Sequence, residues 1–241
     1  SDIVQNNTNE YLSALIKEFI NIDDKAIYLS GGVMLNIKLN SYISDIYPDK
    51  EIISIGSNED NGTAIGAALC VFRNIFNLNN TEKPNDFFGK EYNDTEIIEA
   101  LKSNNMKFKK FEKEQLAREI ANKIAQSKIV MLSYGKSEFG PRALSHRSIL
   151  ANATDPDTKP RLDREIKMRE TFRPYAPIVL EEDYKDYFSL NSVSPFMLFD
   201  AKVLDKRLPA ITHIDNTSRP QTISKSDGIS YEILKNLKKI S

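Results

Sequence analysis

Ala26-Ile27-Tyr28-Leu29-Ser30-Gly31-Gly32-Val33-Met34-Leu35-Asn36 reads as a short apolar strand, a glycine pair and the start of a helix, and this succession decides the fold class. Upstream, Leu12, Leu15, Ile16 and Phe19 recur at helical spacing within residues 8–20. Downstream, helical spacing runs from Val33 to Ile43, and Ile52-Ile53-Ser54-Ile55 is a second short strand. Asp60-Asn61-Gly62 then opens a helix through Ala64, Ala67, Ala68 and Phe72. Helix, strand, glycine turn, helix, strand, helix is an α/β pattern with a parallel sheet.

The stretch from residue 77 to 93 is rich in turn formers (Asn77 to Asn80, Pro84, Asn85, Gly89) and reads as a linker. Beyond it, Asp94-Thr95 is placed to cap a helix through Leu101, and Phe108 to Phe111 suggests a strand. Leu116, Ile120 and Ile124 mark another helix, and Ile129 to Leu132 a buried strand. Further short strands are expected at 177–180 and 195–203.

Composition narrows the class of function. The 241 residues are 40% hydrophobic and 28% charged, ordinary for a folded chain, with a formal net charge of −1. That balance argues against a dedicated nucleic-acid binder. One cysteine and two histidines exclude an intramolecular disulfide and a Cys/His zinc framework. Cys70, in the run Ala67 to Phe72, reads as a small buried hydrophobe. Neither a signal peptide nor an apolar stretch near the roughly 18 residues of a membrane helix is visible, so a soluble, cytoplasmic protein is expected.

Three features carry chemistry. Gly31 and Gly32 let the backbone approach a ligand and aim N–H groups outward, which suits phosphate, although a tight strand-to-helix turn uses the same residues. With Asn36 they are candidate nucleotide contacts. Gly56-Ser57-Asn58-Glu59-Asp60-Asn61-Gly62 follows the second strand and sets Asp60 where it can hold a divalent metal or a ribose hydroxyl, or simply cap the next helix. Gly66 among alanines reads as a site of close helix packing.

The third feature weighs most. Lys136, Arg142, Arg147, Lys167, Arg169 and Arg173 crowd two loops punctuated by glycine and proline. Planar guanidinium forks and a mobile ammonium are what a doubly charged phosphate requires. Lys136, Arg142 and Arg147 are the candidate catalytic residues, and Ser148, Lys167, Arg169 and Arg173 candidate substrate or nucleotide ligands. The competing reading is an internal salt-bridge network with Glu138, Asp163 and Glu170. His146 reads as a polar loop residue rather than a general base, and no Ser/His/Asp triad can be assembled.

The stretches GGVMLN, SNEDNGTAIGAAL, SEFGPRALSHRSILA, IKMRETFRPYAP and THIDNTSRPQT resemble, in order, signatures of the carbamoyltransferases that decorate nodulation factors and antibiotics. The resemblance spans residues 10 to 237. It implies two parts: residues 1–88 as the later half of an actin-like (ASKHA) carbamoyl-transfer domain, and residues 89–241 as a YrdC-like α/β domain. In the latter, carbamoyl phosphate and ATP with Mg would give carbamoyl-adenylate, and the carbamoyl group would pass to the hydroxyl of a small-molecule acceptor. The six cations match the family's basic positions, and Asp60 matches an aspartate at a metal, iron in related enzymes. Two departures stand out. Ser145 replaces the glycine of the usual GPRALG, and the paired histidines that complete the metal belong to an N-terminal half expected as a partner. No membrane partner is expected. The alternative is a nucleotide- or RNA-binding module without turnover, against which the lack of an aromatic-basic stripe counts.

Overall fold

The computed structural model describes residues 2–77 and 86–240, so residues 78–85 of the expected linker lie outside it. Helix α1 (Asp2–Phe19) leads into strand β1 (Ala26–Leu29), a 3-10 turn at Gly32–Leu35, helix α2 (Ile37–Ile46) and strand β2 (Glu51–Ser54). β1 and β2 pair in parallel, Ile27 opposite Ile52, as the α/β reading expects. The α-helix begins at Ile37 rather than Val33 because Asn36 interrupts it. Its backbone is extended, and its side-chain oxygen accepts from Leu39 N at 3.2 Å, which makes it an N-cap.

Helix α3 (Asn61–Asn74) buries none of its residues. Two expectations are corrected by this. Cys70 is exposed, and a Cβ on Gly66 would meet nothing within 4 Å. The helix is tied down at its first turn, where Asn61 Nδ2 donates to Phe139 O at 2.9 Å. Burial depends on what packs against a helix, and its small-residue composition does not supply that.

The remaining elements are α4 (Asp94–Ser103), α5 (Lys113–Ala125), β3 (Val130–Ser133), β4 (Arg147–Leu150), α6 (Thr158–Arg161), β5 (Ile178–Leu180), α7 (Tyr184–Tyr187), β6 (Ala201–Lys202), β7 (Thr217–Ser218), β8 (Gln221–Ile223) and α8 (Ile229–Ile240). α6 runs into a π-helical turn at Leu162–Lys167. β5 and β8 pair in parallel, whereas β3–β4 and β6–β7 are antiparallel. The cap of α4 is Asn93, in a reciprocal box with Glu96, one residue ahead of the expected Asp94. Phe108 to Phe111 forms no strand; Phe108 is exposed among lysines, and no strand pairs with it among the described residues. The strand expected at 195–203 shortens to Ala201–Lys202.

Two apolar clusters hold the chain together. In one, α5 and α8 close over β3 and β4 through Ala117, Ile120, Ile124, Leu132, Leu150, Ile229 and Ile233. In the other, Ile27, Leu29, Leu39, Ile43 and Ile52 pack with Val179, Phe188, Leu198 and Phe199. Residues on both sides of position 88 therefore share a core. This brings the loop after β3 against the turns that follow β1 and β2. Among the described residues no helix is long and apolar enough to cross a membrane.

Candidate functional site

The loop joining β3 to β4 carries Lys136 and Arg142, and Arg147 and Ser148 open β4 itself. The loop is shaped by one carboxylate. Glu138 Oε1 accepts from the backbone N–H groups of Leu144 (2.7 Å), His146 (3.1 Å) and Arg147 (3.1 Å). Burial opposes its charge, but these donors prevail and hold its pKa below the ordinary glutamate value. Arg147 acts in the opposite sense. Its Nη1 donates to Tyr134 O (2.8 Å) and His146 O (3.2 Å), and its Nη2 to Gly135 O (2.9 Å). The His146 ring stacks on Phe87 at 3.9 Å between centroids, and its Nδ1 lies 2.6 Å from Lys136 O. Lys136 itself is exposed.

Ser145 stands at φ +70°, in the left-handed region where glycine is at ease. The replacement of glycine thus leaves the backbone left-handed. Its polar atoms are all engaged: N donates to Ser148 Oγ (3.1 Å), Oγ donates to Gln221 Oε1 (2.8 Å), and O accepts from Ser230 Oγ (3.1 Å). Gln221 N also donates to Pro177 O at 2.9 Å, so this glutamine links the first basic loop to the end of the second.

Arg142 leaves the loop and crosses to the glycine turn, where Nη2 donates to Leu35 O at 3.1 Å. Burial, the nearby positive charge of Arg219 and, in the opposite direction, Glu59 bring its pKa down to about 10. Burial also lowers that of Arg219. Arg142 Nη1 and Arg219 Nε are buried without a hydrogen-bond partner among the described residues.

Gly56 and Gly140 lie at the same junction. A Cβ on Gly56 would fall 1.7 Å from Asp86 Oδ2, and one on Gly140 3.3 Å from Gly56 O. Asp86 cannot swing aside freely, because Ser57 Oγ donates to it at 2.6 Å. Gly56→Ala is therefore expected to cost about 2 kcal/mol or more in denaturant unfolding. Most of that loss should disappear in an Asp86→Ala background, and equal losses in both backgrounds would remove the steric explanation.

The second loop is built differently. Asp163, 1% exposed, accepts from Lys159 Nζ (2.5 Å), Arg169 Nε (3.2 Å) and Tyr175 OH (2.8 Å). The Arg169 guanidinium lies 4.2 Å from the centroid of the Tyr175 ring. Buried as it is, Asp163 is kept below the usual aspartate range by these donors. Burial and the carboxylate push the Tyr175 phenol up to about 12. Lys167 is exposed, and Arg173 has only a 4.0 Å approach to Glu170. The salt-bridge reading thus describes Arg169 with Asp163 and, at 4.0 Å on the surface, Arg173 with Glu170, while Lys136 and Lys167 project into solvent.

Gly31 has φ +101°, which favours glycine, and the pair opens the 3-10 turn. An open cleft of about 680 Å³ lies over it, lined by Val4, Asn7, Thr8, Tyr11 and Leu12 of α1 and by residues 30–34, with no cation among them. Asn36 is occupied by its cap and by donation from its Nδ2 to Gln5 Oε1 at 3.0 Å. Asp60 is exposed and makes no side-chain cap bond. No group of three His, Cys, Asp or Glu side chains suited to a metal occurs among the described residues.

Structure adds Arg219, Gln221 and Glu59 to the residues singled out from sequence, and makes Glu138, expected as an ion-pair partner, an acceptor for backbone N–H groups. The motif THIDNTSRPQT carries the first two, and an arginine inside a short polar run between strands was the available signal.

Residues 121–241 match a family model described as the carbamoyltransferase C-terminus. The chain is 31% identical, over 96% of its length, to an uncharacterized protein of Methanocaldococcus jannaschii, covering 39% of that protein. It is 34% identical over 84% of its length to nodulation protein NolO of Bradyrhizobium diazoefficiens, covering 38% of it. With nodulation protein U of Rhizobium fredii the identity is 36% over 82% of the chain and 33% of the relative. The chain thus spans about two fifths or less of the length of these curated relatives.

Proposed function

The chain belongs to the carbamoyltransferase family, and we propose that it forms the later part of an enzyme that uses carbamoyl phosphate and ATP to carbamoylate a hydroxyl group. Residues 1–88 would be the later half of an actin-like (ASKHA) domain, and residues 89–241 a YrdC-like domain. Water releases phosphate from carbamoyl phosphate to leave carbamate. A carbamate oxygen attacks the α-phosphorus of ATP and expels pyrophosphate, giving carbamoyl-adenylate. The acceptor hydroxyl then attacks the carbamoyl carbon, and AMP leaves as the hydroxyl proton is lost. No protein nucleophile is needed.

The observation that carries this reading is the crossing of Arg142 from the basic loop to the glycine turn, which sets buried guanidinium donors beside two strand-end loops. Preorganised cations of this kind are effective where phosphoryl oxygens gain charge. Lys136, Lys167 and Arg173, being exposed, supply mobile charge to the triphosphate. Arg147 and Glu138 shape the loop, and Ser148 holds the Ser145 amide. Any metal would need ligands besides Asp60.

Calorimetric titration of carbamoyl phosphate and of ATP into the chain tests the reading. Saturable binding of both is expected, weakened at least tenfold by Arg142→Ala without loss of thermal stability. Arg147→Ala should lose binding and stability together, because its guanidinium ties the carbonyls of Tyr134, Gly135 and His146 to one another. A wild-type chain that binds neither ligand would overturn the reading.

A further inference from the structure

We propose that Ser145 is a positioning residue: its hydroxyl, acting through the Gln221 side chain, sets the spacing between the two basic loops and so favours a ligand long enough to touch both. This rests on the reading of those loops as the place where ATP and carbamoyl phosphate bind, and adds to it what fixes one loop relative to the other.

Ser145 is 2% exposed, and three segments meet on it. Its N–H donates to Ser148 Oγ in β4, which closes its own loop. Its carbonyl accepts from Ser230 Oγ of α8, the helix that puts Ile229 and Ile233 into the apolar cluster with Leu132 and Leu150. Its hydroxyl donates to Gln221 Oε1 of β8. Gln221, 1% exposed, lies opposite Ile178 of β5 and donates its backbone N–H to Pro177 O, where the second basic loop ends. Two hydrogen bonds in succession, 2.8 and 2.9 Å long, therefore span from Ser145 to Pro177. Among the described residues no hydrogen bond or ion pair runs directly from residues 136–147 to residues 167–177.

Stability alone does not account for a serine here. At φ +70° its side chain is strained, and a glycine would not be. Leaving Gln221 Oε1 without its donor costs about what relief of that strain returns, so the two nearly cancel. What the hydroxyl adds is direction. The terminal torsion of a glutamine is broad and roughly two-fold, and a donor on Oε1 fixes which way the amide faces. The Gln221 side chain then acts as a strut of set length between the loops. The triphosphate of ATP reaches cations of both, Lys136 in the first and Lys167 and Arg173 in the second, whereas carbamoyl phosphate is short enough to lodge against one. A change in spacing therefore bears on ATP and spares the smaller ligand.

Calorimetric titration of ATP and of carbamoyl phosphate, with thermal melting alongside, tests this on wild type and Ser145→Gly. The variant is expected to melt close to wild type, to bind ATP at least tenfold more weakly and to bind carbamoyl phosphate within twofold of wild type. Ser145→Ala keeps the strain without the bond, so it should melt lower and show the same selective loss. Gln221→Met removes the acceptor instead of the donor; it is expected to lose ATP selectively too, and serves if the Ser145 variants do not fold. Because both substitutions act through one bond, the double variant Ser145→Gly with Gln221→Met should bind ATP no more weakly than the weaker of the two singles. Equal weakening of both ligands, ATP affinity within twofold of wild type, or additive losses in the double variant would each overturn the proposal while leaving the reading of the loops in place. A wild-type chain that binds neither ligand is a different failure, which removes that reading and the proposal together.

Discussion

Asp163→Ala is expected to lower the unfolding free energy by about 3–5 kcal/mol, the usual consequence of removing one partner from a buried ionic cluster. The carboxylate is 1% exposed and serves Lys159, Arg169 and Tyr175 at once. Its loss leaves two cations and a phenol without their acceptor. Denaturant unfolding measures the effect, and a change under 1 kcal/mol would show that the cluster is solvated. The pH dependence follows from the directions of the shifts. The folded pKa of Asp163 lies below its unfolded value, so its contribution is complete above about pH 4 and lost as pH falls through the lower folded value. The phenol of Tyr175 is shifted upward, so its contribution is complete below about pH 10 and lost as pH rises toward about 12. Asp163→Ala should accordingly lose its share of the acid flank and weaken, without abolishing, the alkaline one, because burial is the larger cause of the Tyr175 shift.

Glu138→Ala should be nearly as damaging to stability, at about 3 kcal/mol for three backbone donors left without a charged acceptor, and more damaging to the site. The loop from Ser137 to Arg147 gathers three of its backbone N–H groups on that carboxylate. Without it, Arg142 loses the frame that carries it to Leu35, and phosphate binding is expected to fall by more than tenfold. Glu138→Gln retains one accepting oxygen and should recover part of the stability. If the alanine variant binds phosphate as wild type does, the loop is shaped by its other contacts. The lowered pKa places the contribution of Glu138 above its unfolded value near pH 4.3, with loss as pH falls through the folded value.

Much of the local structure was legible because it depends on near neighbours. The spacing of Leu116, Ile120 and Ile124 places α5 with Ile120 and Ile124 in the core. β1 and β2 lie within a residue of their expected positions. Phe108 to Phe111 misled because strand-like composition requires a pairing partner. Cys70 and Gly66 misled because small, apolar residues do not reveal whether anything covers them.

The sequence by itself determined the α/β class, the glycine turn after β1, the two cation-rich loops and the match of residues 121–241 to the carbamoyltransferase C-terminus. Six cations of equal formal charge could not be told apart at that level. Only the tertiary structure separated Arg169, neutralised by Asp163, and Arg147, bound to carbonyls, from Arg142, which crosses to Leu35. It also brought in Arg219. The deciding contacts join residues 107 apart (Arg142 to Leu35) and 76 apart (Ser145 to Gln221). A side chain's charge is written in its own residue, but its solvation and its partners belong to the surface that folding brings against it.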